Sequence, residues 1–293
     1  MNLENIAARS VQEVFDIYKN TRCCNEDKAL RRMELLDKVF DVIKELRIKN
    51  FDKDEYIDNF RDLIDNKEIF EYLVNEQVNL SNNAIAEDLS IRILERLYKL
   101  TYDPNLKRIT IGQHLLRDFS KLVLLSISSI LIKNEMLVEL GNILNKRLPS
   151  LEGIVDYNVL FSFFDGFKGE NGDSLIGIIS NEICDTDEWY DLITADLLLL
   201  LCSFSNNDIK HDYSWTPSFT HYNYSILRCK KYYDFKPVFF ENMLSKERYQ
   251  WVSDSLNLSA KKELLDKCNG IDGVSKLRCK SDIVEEIFEA LSN

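Results

Sequence analysis

The sequence predicts a mainly α-helical protein: an irregular multi-helix body carrying a small C-terminal helix-extended-loop-helix module. Three observations predict it. Only 9 Gly and 4 Pro punctuate 293 residues, and so few breakers favour long helices over tight turns. Hydrophobic residues make up 45% of the chain, enough for a packed core. Up to about residue 148 those residues recur three and four apart, the period of a helix with one apolar face.

Helices are expected over 6–19 and 27–46, the second with Leu30, Met33, Leu36, Val39, Phe40 and Ile43 on one stripe. Asp52 and Glu55 have the spacing of a capping box, with Phe51 and Tyr56 placed to staple it. That helix is expected to end near Asp65, and a short one to follow over 67–76. The run 84–100 puts Ile85, Leu89, Ile93, Leu97 and Leu100 in phase, and Asp103-Pro104 stops it. Residues 114–133 are apolar nearly all round, which marks a central buried helix. A helix over 136–146 follows, and Pro149 closes the block.

Beyond it, 158–164 suits helix or strand, 165–173 is a glycine-rich loop, and 174–183 and 187–204 read as helices. Residues 206–220 read as loop and 221–233 as strand-like. Helix returns over 237–244 and 246–256. The organisation is thus 1–150, a helical region; 151–256, acidic then aromatic-rich, expected to share one body with the first; and 257–293, the module.

The net charge of −12 is concentrated. Residues 151–202 hold eleven acids and one base, Lys168, a difference of −10. Such a stretch repels nucleic acid and suits a basic partner or a solvated surface. Seven cysteines, an odd number without a CxxC pair, fit reduced thiols. The start, MNLENIAARSVQEV, has no apolar signal core. No run approaches the roughly 20 apolar residues that cross a bilayer. A cytoplasmic protein without membrane contact is expected.

The tail is the most informative part. Ser259 can cap a helix from Ala260, with Leu264, Leu265 and Cys268 on one face. Gly270 follows where a left-handed cap needs no Cβ, and Gly273 lets the chain turn. Ser281 and Asp282 open a second helix with Ile283, Val284, Ile287, Phe288 and Leu291 on its stripe. Leu264–Leu265, Gly270-Ile271-Asp272-Gly273, Ser275-Lys276-Leu277-Arg278 and Lys280-Ser281-Asp282-Ile283 occur in the order that resembles the SAP and Rho-termination-factor N-terminal modules. The resemblance covers roughly one eighth of the chain. It implies phosphate contacts by Lys276, Arg278 and Lys280, with Lys261 and Lys262 in support. Cys279 stands as one inserted residue before Lys280 relative to the Rho-type pattern. From Asn257 on there are six basic and seven acidic residues, a difference of −1. A small, salt-sensitive footprint follows.

Other candidates carry simpler explanations. Asp185, Asp187, Glu188 and Asp191 could hold a hard cation, yet acids also favour a helix first turn, with Asp185 as cap and Glu188 three residues on. The loop 165–173 lacks the ligand pattern of a calcium loop and the GK[ST] of a phosphate loop. Cys202, His211, His221 and Cys229 are spaced too widely for a usual zinc site, and no family signature supports a Cys–His nucleophile pair. Arg108 and His114 form an R-x5-H pair loosely like that of HEPN-type ribonucleases. The stretch 213–240 interleaves ten aromatics with Arg228, Lys230, Lys231 and Lys236. That combination suits base stacking and phosphate contact, or a second core with its cations outward.

The leading expectation is a non-enzymatic, nucleic-acid-associated accessory protein that binds DNA or RNA weakly. The contacts are Lys276, Arg278, Lys280, Lys261 and Lys262, with Arg228, Lys230 and Lys231 as the second group. No catalytic residue, metal or cofactor is assigned. The alternative is a helical protein-interaction or inhibitory module that docks a basic partner through 151–202. A second alternative is a HEPN-like or metal-dependent nuclease.

Overall fold

The computed structural model describes residues 10–21, 25–102, 110–146, 148–150, 153–155 and 245–258. It also describes Glu188, Asp191, Leu192, Thr194, Ala195, Asp196, Leu198, Leu199, Cys202 and Phe239. Its elements are α1 (Val11–Asn20), α2 (Asn25–Leu46), α3 (Lys53–Asn79), α4 (Asn83–Thr101), α5 (Ile111–Lys133), α6 (Leu137–Leu144), β1 (Leu148–Ser150), β2 (Gly153–Val155) and α7 (Lys246–Leu256). The protein is a mainly α, multi-helix body. The predicted module over 259–293 lies outside the described residues.

Local chemistry sets the helix starts. Ser10 and Glu13 form a reciprocal capping box, so α1 begins at Val11. The expectation of one helix from residue 6 missed this Ser-x-x-Glu signature, and the extended backbone of Ser10 rules it out. Asp52 with Glu55 starts α3 as predicted. Thr110 with Gln113 starts α5 one turn earlier than the apolar run alone indicated.

Helix α3 runs unbroken for 27 residues, where two helices were expected. Its buried stripe is Tyr56, Phe60, Leu63, Lys67, Phe70, Val74 and Gln77, alternating steps of four and three. A lysine, Lys67, occupies one core position of that stripe, where the second of the two expected helices was placed to begin. In α4 the stripe is rotated from expectation: Ala86, Leu89, Ser90, Ile93, Leu94 and Leu97 are buried, while Ile85 is 45% exposed. In α2, Leu30 is likewise 62% exposed and lies off the predicted stripe.

Helix α5 is the centre. It packs against α3 and α4, with α2 and α6 also in contact, and is buried almost throughout. Its serines are tolerated where they bond back to the preceding turn, as Ser120 does to the Leu116 carbonyl at 2.6 Å. Ser126 and Ser128 are buried and their hydroxyls meet no partner among the described residues. Because an unmet buried hydroxyl is costly, Ser128→Ala is expected to raise stability by about 1 kcal/mol. A urea midpoint that falls would count against this reading.

Two close approaches fix the ends of the body. The α2 C-terminus meets the α5 N-terminus head to tail. Gly112 N–H donates to the Lys49 carbonyl at 3.0 Å, and Thr110 Oγ1 donates to the Arg47 carbonyl at 2.7 Å. The negative end of one helix dipole thus faces the positive end of the other. In α6, Gly141 lets the Ser255 carbonyl of α7 pack where a Cβ would stand. Ser245 caps α7, and left-handed Asn257 ends it. Leu258 N–H returns to the Ser253 carbonyl at 2.9 Å. Leu258 itself is buried, the apolar closure that accompanies such a cap. After α6 an unpredicted antiparallel hairpin pairs Leu148 with Val155 and Ser150 with Gly153.

Candidate functional site

The eight cations assigned from the sequence, Lys276, Arg278, Lys280, Lys261, Lys262, Arg228, Lys230 and Lys231, lie outside the described residues. The described chemistry is instead a charged seam between α3, α5 and the 188–202 segment. Every described residue of that segment is helical, in line with the expected helix over 187–204. Leu192, Ala195, Leu198, Leu199 and Cys202 are buried at steps of three and four, so one apolar stripe faces the body.

Three acids flank this stripe and each reaches a lysine. Glu188 accepts from Lys67 Nζ at 2.8 Å, and Glu71 holds the same ammonium at 2.7 Å. Lys67 is only 2% exposed. Burial pushes its ammonium toward neutrality, but Glu71 and Glu188 together prevail and hold it above the usual lysine value. Asp196 lies 3.6 Å from Lys121 Nζ, both nearly buried. Asp191 pairs with Lys133. Apolar burial dominates the docking: each fully buried leucine is worth about 1.5–3 kcal/mol, against about 0–1 kcal/mol for an exposed pair such as Lys133–Asp191.

The sequence missed Lys67, Lys121 and Asp196. The readable signal was a charged residue standing at a stripe position. Glu188 and Asp191, read as cation ligands or helix-start acids, are engaged by lysines. Among the described residues no cluster of three or more His, Cys, Asp or Glu side chains could hold a metal ion. No described helix is long and apolar enough to cross a membrane.

A second buried polar group sits on α5. Tyr56 donates to Asp118, and Asp118 is fully buried. Burial, then the Asp118 charge, pushes the Tyr56 phenol well above its usual value, so it remains a donor. His114 is near the α5 N-terminus. The helix that carries it begins at Ile111. Arg108, like His211, His221 and Cys229, lies outside the described residues. Cys202 is a buried thiol.

Burial, with help from the Arg117 charge, lowers the His114 imidazole from 6.5 to about 4. Between those values the unfolded chain binds more protons than the folded one, so stability falls as pH drops through that window. His114→Gln is expected to flatten the fall by about 1–2 kcal/mol, allowing for partial exposure. Denaturant midpoints across the window read this directly, and an unchanged slope refutes it.

No family model matches the chain, and no curated protein or solved structure matches it significantly.

Proposed function

We propose that the protein is a non-enzymatic, nucleic-acid-associated accessory protein that grips phosphate weakly through its C-terminal segment. The observation that carries this reading is the resemblance, in order, of residues 264–283 to the SAP and Rho N-terminal pattern, with Lys276, Arg278 and Lys280 where those families face nucleic acid. One feature of the body supports it. Helix α7 is seated on α6, and buried Leu258 closes its C-terminal cap just before the segment proposed to bind. Under the alternative, an acidic 151–202 face docks a basic partner; of its eleven acids, Glu188, Asp191 and Asp196 are turned to the chain's own lysines.

Three phosphate contacts predict a slope of log affinity on log salt of about −2.7, or roughly a 40-fold loss between about 50 and 200 mM salt. Affinity should be indifferent to base sequence, because phosphate contacts carry no sequence information. The triple variant Lys276→Glu/Arg278→Glu/Lys280→Glu is expected to lose retention of labelled DNA and RNA even at low salt. Retention equal to the wild type would reject the proposal.

A further inference from the structure

We draw no further inference here: the strongest candidate, the lysine–carboxylate seam that seats the 188–202 segment on α3 and α5, is accounted for by packing within the body already described, and nothing in the structure shows a ligand or partner it would take.

Discussion

Replacing Gly112 with alanine is expected to destabilise the protein by at least about 4 kcal/mol, which ranks among the rare severe point changes. The reason is space rather than backbone strain. A Cβ at Gly112 would overlap the Leu46 carbonyl oxygen and lie 2.9 Å from that of Lys49 and 3.0 Å from that of Arg47. All three are backbone atoms at the end of α2, so no side-chain rotation relieves the clash. Alanine's better helix propensity returns only about 1 kcal/mol, too little to change the sign. The helix ends must part, and Gly112 N–H and Thr110 Oγ1 then lose their bonds to α2. Since whole domains are stable by only about 5–15 kcal/mol, the variant should melt at least roughly 10 °C lower. Thermal circular dichroism of the full chain measures this. An unchanged midpoint would mean that α2 and α5 do not meet end to end.

That junction also shows what could be read from residues alone. Helix existence was legible wherever the apolar period was long: α2, α4, α5 and α7 appear within a turn of expectation because local propensity and burial agree. The capping boxes at Ser10 and Thr110 were present in the sequence but outweighed in the reading by the apolar run. The break assigned near Asp65 failed for a different reason. Lys67 is polar in sequence and core in space, and of the two carboxylates that hold its ammonium only Glu71 is local, while Glu188 lies far along the chain. No local pattern contains that pairing. The close fit of Gly112 to α2 was invisible for the same cause, since a glycine's role as a contact surface is set by a distant carbonyl. Of the candidate site, the eight cations rest on the family likeness of the tail and the aromatic-basic interleaving of 213–240. The seam in the body came from tertiary contacts.

The seam yields the second large effect, because a buried ion pair behaves asymmetrically. Removing one partner leaves the other charge in a poorly solvated place and costs about 3–5 kcal/mol, whereas replacing both with apolar groups of similar size is often neutral or stabilising. Lys121 and Asp196 are both about 5% exposed, and Leu192, Ala195 and Leu199 of the same segment belong to the buried core. Asp196→Leu alone is therefore expected to lower stability by about 3–5 kcal/mol. Adding Lys121→Met should restore most of that loss, leaving the double variant within about 1 kcal/mol of the wild type. The coupling energy from the cycle should be at least about 2 kcal/mol and favourable in the folded state. Urea unfolding of the four proteins gives that number. Simple additivity would show that Asp196 is not seated on α5, and the packing of 188–202 against the body would have to be redrawn. Rescue would instead identify the apolar stripe, Leu192 to Cys202, as what holds the acidic segment down, with its carboxylates selecting where on the lysine-bearing face it comes to rest.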